Sequence, residues 1–111
     1  MCERRMGVQG PPARTPEELY AQATALMNQG QYVQAEPLMQ RAVAAKPHAD
    51  HFLYALALCK GHLGDLRGSA DALRQAIEIQ PANRSSARRD ADFQPLLADG
   101  PVRDLVLGER S

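Results

Sequence analysis

Residues 47–81, PHADHFLYALALCKGHLGDLRGSADALRQAIEIQP, begin and end on proline and restate a pattern set in the stretch before them. Pro47 and Pro81 stand 34 residues apart, and at that offset Leu19 matches Leu53, Tyr20 matches Tyr54, Ala23 matches Ala57, Gly30 matches Gly64 and Ala42 matches Ala76. A recurrence of this length, with glycine and small residues in fixed places, predicts a helix-turn-helix unit that stacks on its neighbours, because each unit alone leaves an apolar face uncovered. Alanine at 23, 42, 57 and 76 suits that stacking, since helix axes approach within about 8 to 10 Å only where the crossing side chains are small.

Outward from this core, the spacing predicts a first helix from Pro16 to about Gln29, with Leu19, Ala23 and Leu26 on one stripe. Thr15-Pro16-Glu17-Glu18 opens it: a hydroxyl cap, proline at the first helical position and Glu three residues after the cap satisfy two orphan backbone donors reciprocally. Gly30 supplies the left-handed residue that ends it. Tyr32, Ala35, Met39, Ala42 and Val43 mark an antiparallel second helix to about Ala45, closed by Lys46 and Pro47. The pair recurs as Leu53, Leu56, Ala57 and Leu63 up to Gly64, then Leu66, Ala70, Leu73, Ala76 and Ile77 up to Pro81. Two positions weaken it: Pro37 removes a helical hydrogen bond, at about 3 kcal/mol in a helix interior and less near a helix start, and Gly61 costs about 1 kcal/mol relative to Ala.

The expected organisation is an arm at 1–14, a single domain at 15–107 and a tail at 108–111. Within the domain, repeat one spans 16–47 and repeat two 50–81, and a half repeat with a folded-back cap spans 82–107. Two stacked pairs are fewer than such folds normally need, so 82–107 must cover the open end. Asn83 is expected to cap a short helix through about Arg89, Phe93, Leu96 and Leu97 offer apolar bulk, and Gly100-Pro101 opens a last helix carrying Val102, Leu105 and Val106. The fold class is all-α.

Composition agrees. The chain has 111 residues with no Trp and 5% aromatic content, which suits close-packed helices better than a sandwich or barrel. A formal net charge of +0 argues against nucleic acid or another polyanion as partner, and Arg84, Arg88 and Arg89 read as a solvated helix face. The N-terminus lacks the apolar run of about 7 to 15 residues that a secretory signal needs, and no segment reaches the roughly 20 that span a bilayer. Cys2 in a polar tail and Cys59 in an apolar helical run argue against a disulfide framework, so a reducing, cytoplasmic setting is expected.

Gly30-x-Tyr32-x-x-Ala35 followed by Ala42 and Pro47, echoed by Gly64, Leu66, Ser69, Ala76 and Pro81, resembles the tetratricopeptide repeat over residues 16–81. Departures are Leu19 and Leu53 for a bulky aromatic, Gln22 for an apolar residue, Lys60 for an aromatic and Ser69 for alanine. The resemblance implies an α-solenoid of two antiparallel helix-turn-helix repeats with C-terminal capping helices, acting as a non-catalytic adaptor. Ala87-Arg88-Arg89-Asp90-Ala91-Asp92-Phe93-x-Pro95-Leu96 also resembles a tail that follows the last repeat in bacterial members, with Ala91 in place of proline.

In the resembled family the A helices face the concave groove. Carried over residue by residue, the groove positions are Glu17, Tyr20, Thr24, Met27 and Asn28 in repeat one, and His51, Tyr54, Leu58, Gly61 and His62 in repeat two; Arg88 and Arg89 join them on the third A-like helix. Some members clamp a chaperone tail with Lys, Asn and Arg side chains. Here Tyr20, Thr24 and Ala55 stand in clamp places and only Arg89 matches, so a peptide or protein with apolar anchors is the expected partner. Tyr20 and Tyr54 can serve either groove or packing. The alternatives are homo-oligomerisation through a face such as Val102 to Val106, and a metal site using His51, Cys59 and His62. Against the metal, His51 and His62 lie about 16 Å apart along a helix, whereas ligands converge within about 2.3 Å of one ion. Cys59 reads as a small core hydrophobe, with no Cys-His-Asn arrangement around it. No cofactor, enzyme activity, nucleic acid or membrane contact is expected.

Overall fold

Thr15 opens the first helix. In the computed structural model, which describes residues 15–98 and 100–107, the Thr15 hydroxyl accepts from the Glu18 N–H at 3.1 Å while the Thr15 N–H donates to the Glu18 carboxylate at 3.0 Å. The expected arm at 1–14 and tail at 108–111 lie outside the described residues. With both cap donors satisfied and Pro16 at its first position, α1 runs Pro16–Asn28.

Its end shows why the period carries glycine. Gly30 has φ +78°; its N–H donates to the Met27 carbonyl at 2.9 Å and the Gln31 N–H to the Leu26 carbonyl at 2.8 Å. Thirty-four residues on, Gly64 at φ +91° donates to Gly61 and Asp65 to Lys60 at 3.0 and 2.9 Å. A Cβ on either glycine would meet nothing within 4 Å, so the dihedral and not space demands glycine there. Helices α2 (Tyr32–Ala45), α3 (Asp50–His62) and α4 (Leu66–Ile79) follow. The α2 and α4 ends also correspond, with Lys46 donating to Ala42 and Gln80 to Ala76 just before Pro47 and Pro81.

Helix α3 is the centre of the stack. It packs on α1, α2, α4 and the C-terminal segment, so Phe52, Leu53, Ala55 through Cys59, and Gly61 are all buried. Ala23, Ala35, Ala42, Ala57 and Ala76 are fully buried where helices cross, and the Ser69 hydroxyl, fully buried in turn, donates to the Ala57 carbonyl at 2.6 Å. Serine in place of alanine is therefore satisfied by a backbone acceptor rather than left as a buried polar orphan. Pro37 sits on the exposed outer face of α2; Val33, whose carbonyl it deprives of a partner, is 73% exposed, so water can take that group.

Gly61 has a different reason from the one its helix position suggests. A Cβ there would stand 2.4 Å from Leu96 Cδ1 and 3.1 Å from Ser69 Oγ, so glycine lets the C-terminal segment lie directly on α3. That segment comprises α5 (Ala82–Arg89), a 3-10 helix (Ala91–Leu97) and α6 (Pro101–Leu107). Phe93, Val102 and Val106 are fully buried and Leu96 nearly so. Asp90 opens the 3-10 helix by accepting from the Asp92 N–H at 2.9 Å, and the Arg88 guanidinium donates to the Val106 carbonyl at 3.4 Å.

Two expectations change here. Asn83 does not cap α5, which starts one residue earlier at Ala82; its buried amide instead reaches the Ala76 and Gln80 carbonyls at 3.0 Å each and the Asp50 carboxylate at 2.9 Å. It therefore closes the end of α4 and ties it to the start of α3, supplying a donor to the terminal Gln80 carbonyl and a second one to Ala76. Val102 and Val106, offered as a face for stacking copies, are spent within the chain against α4 and the 3-10 helix.

Candidate functional site

Four residues of α1 spaced for one helix face, Tyr20, Thr24, Met27 and Asn28, look across at Tyr54, Ala55 and Leu58 of α3. With Tyr32 from the start of α2 and Asp92 from the 3-10 helix, they line an open cavity of about 180 Å³. Six of the twelve expected groove positions, Tyr20, Thr24, Met27, Asn28, Tyr54 and Leu58, thus converge on one concavity. Tyr32, Ala55 and Asp92 join them. Tyr32 reads in the sequence as part of the α2 core stripe, and Asp92 lies beyond the 34-residue period, so the repeat gives no signal for either.

The aromatic walls are braced from behind. Tyr20 stacks on Phe52 with centroids 4.9 Å apart and takes the edge of His51 at 5.2 Å; its hydroxyl makes no hydrogen bond among the described residues. Tyr54 lays its ring against Phe93 at 5.1 Å and donates its hydroxyl to Asp90 Oδ2 at 2.8 Å. Burial first, then that bond and the charges of Asp90 and Asp92, holds the Tyr54 hydroxyl well above its ordinary pKa. Tyr54 therefore serves both groove and packing. Tyr32 stacks on His62 at 4.7 Å and 9°, and burial with help from the Asp92 charge raises its pKa too. His62 Nε2 is 2.8 Å from the Asp92 carbonyl, and since a carbonyl only accepts, Nε2 carries the hydrogen.

The other expected positions lie elsewhere. Glu17 is exposed and paired with Lys46, which holds its carboxyl below the usual range. His51 and His62 support the walls without lining the cavity, Gly61 is buried under Leu96, Arg88 is turned to Val106, and Arg89 donates to the Ser85 carbonyl at 3.5 Å. Neither arginine belongs to the cavity wall, because α5 ends before the 3-10 helix that closes the groove.

The Cys59 thiol is fully buried, donates to the Tyr32 carbonyl at 3.2 Å and is pushed up to about 11, first by burial and then by the Glu36 charge, against the opposing pull of Lys60. At neutral pH it is therefore a protonated thiol. No group of three or more His, Cys, Asp or Glu among the described residues is placed to hold a metal ion, and no helix among them is long and apolar enough to cross a membrane.

Two stacked helical hairpins with matched glycine turns, a shared alanine core and a concave face on α1 and α3 define a helical repeat protein. The family model of the tetratricopeptide repeat matches residues 20–84, more than half of the 111, and the chain belongs to that family. Tetratricopeptide repeats generally mediate protein–protein interaction and are generally non-catalytic. No curated protein matches the chain.

Proposed function

We propose that the chain is a non-catalytic adaptor that seats an apolar side chain of a partner peptide or protein segment between α1 and α3. The observation that carries this is the cavity itself, whose walls are Tyr20, Tyr32, Tyr54, Met27 and Leu58 with Thr24 and Asn28 at polar positions. Its volume of about 180 Å³ falls below the roughly 300 to 1,000 Å³ of pockets that enclose whole small molecules, and suits one anchoring side chain of a longer segment. Tyrosines with braced rings make good walls for such an anchor, because they present apolar area and lose little rotamer freedom on binding.

The test is an amide-resolved NMR titration with a peptide selected on the full chain. Shifts are expected around Thr24, Met27 and Leu58, and Thr24→Trp, which fills the cavity from a half-exposed position, should weaken binding more than tenfold while leaving far-UV circular dichroism unchanged. Unchanged affinity in that variant would refute the site.

A further inference from the structure

Among the described residues, Asp92 is the sole charged one on the cavity wall. Several other carboxylates meet a cation or a neutral donor: Glu17 meets Lys46, Glu36 and Asp65 share Lys60, Asp71 meets Arg74, and Asp50 accepts from the Asn83 amide. Asp92 has no ion pair among the described residues; its backbone is engaged at both ends, the N–H with Asp90 and the carbonyl with His62, while its carboxylate is left over. Asp90, two residues away, adds a second negative charge whose oxygens are taken by the Tyr54 hydroxyl and the Asp92 N–H. The two closest arginines in sequence, Arg88 and Arg89, donate to carbonyls of Val106 and Ser85. The two aspartates therefore set negative charge at this end of the groove, and it adds to burial, the larger cause, in raising the hydroxyls of Tyr32 and Tyr54.

Resting on the groove reading above, we propose that the partner segment carries a lysine or arginine within about three residues of its apolar anchor, and that Asp92 selects it. The distance follows from size: a cavity of about 180 Å³ is only some 7 Å across, and three extended residues span about 10 Å. The chemistry follows from sign. A cation there gains an ion pair without displacing one, whereas an acidic residue would meet Asp92 and Asp90 together. Because Asp92 is exposed, the gain is modest in affinity and larger in discrimination.

A random-peptide phage library panned on the full chain tests this, with binding of the enriched peptides then compared on Asp92→Asn, Asp92→Lys and Thr24→Trp. Asp92→Asn keeps the backbone bonds to Asp90 and His62, so the fold has no reason to change. Enriched peptides should place Lys or Arg beside a large apolar residue, bind Asp92→Asn about two- to five-fold more weakly, and on Asp92→Lys lose their advantage to the same peptides with Glu at the basic position. Peptides that need the groove, as judged by loss on Thr24→Trp, yet carry no basic residue and bind Asp92→Asn unchanged would overturn the charge inference and leave the groove standing. Peptides indifferent to Thr24→Trp, or a library that enriches none, would overturn the groove reading and this inference with it.

Discussion

Asn83 offers the sharpest test of what holds the stack closed. Its amide faces three acceptors, the Ala76 and Gln80 carbonyls and the Asp50 carboxylate, with two hydrogens to share among them. Ala76 keeps a second donor, the Gln80 N–H at 2.8 Å, so replacing the amide strands Gln80 and the half-buried Asp50 more than it strands Ala76. A neutral hydrogen bond contributes about 0.5 to 1.5 kcal/mol and one to a charged group about 1.5 to 3 kcal/mol. Alanine recovers a few tenths to about 0.7 kcal/mol in helix propensity, and solvent at Asp50 recovers part of the rest. Asn83→Ala should therefore cost about 1 to 2 kcal/mol, a fall in Tm of roughly 4 to 15 °C at this size. Asn83→Asp keeps the shape but removes both donors and sets a carboxylate against Asp50, so it should cost more than Asn83→Ala at neutral pH, with the excess disappearing as acid protonates the pair. Urea titration followed by far-UV circular dichroism at neutral and acidic pH measures both. If Asn83→Ala lies within about 0.5 kcal/mol of the parent chain, a shift typical of surface changes, or if Asn83→Asp is no worse than Asn83→Ala, the clasp is not what closes this end.

The two turn glycines should behave as a pair: Gly30→Ala and Gly64→Ala each force a Cβ into φ near +80 to +90° with open space around it, so each should cost about 1 to 2 kcal/mol, and a denaturation midpoint unchanged in either would break the equivalence of the repeats. Alkaline stability follows from Cys59 and Tyr54, whose pKa values are raised in the folded chain from 9.0 and 10.0. Both are neutral in the fold where the unfolded chain would already ionise, so their contribution is complete below about pH 9 and drains away as pH rises toward and beyond 11. Chemical denaturation across that range should show stability falling, and Cys59→Ala should flatten the early part of the fall. A pH-independent midpoint up to 11 would refute it.

Helix limits were legible because their determinants are local. The capping box at Thr15 and the glycines at 30 and 64 act within a turn of backbone, so four or five consecutive letters suffice to read them. What escaped reading depends on contacts across the stack. Asn83 carries the residue type of an N-cap and stands one position inside a helix, where its partners are 33 residues back on α3 and at the end of α4. Gly61 looks like a flaw in a helix until Leu96, 35 residues later, is seen to occupy the space a side chain would take. The groove was half legible: its α1 and α3 residues follow from the period, whereas Tyr32 obeys the period as an α2 core-stripe position and Asp92 lies beyond the last repeat.

Residues 82–107 fall on both sides of that division. Their sequence argues for a lid over an unfinished stack, a role in stability alone, and Phe93, Val102 and Val106 fill it. Yet the same segment also builds one side of the groove. Asp90 takes the Tyr54 hydroxyl, Phe93 backs its ring, the Asp92 carbonyl holds His62 against Tyr32, and Asp92 itself lines the cavity. The two tyrosine walls are thus positioned by side-chain and backbone groups that lie outside the repeats. A cap of equal apolar bulk but without Asp90 and Asp92 would still cover α4 and α3 and would keep the backbone carbonyl that holds His62, but it would leave the Tyr54 hydroxyl without its acceptor and the cavity without its carboxylate residue. Stability and recognition are therefore separable within this segment: the buried face of the 3-10 helix and α6 serves the first, and the two aspartates serve the second.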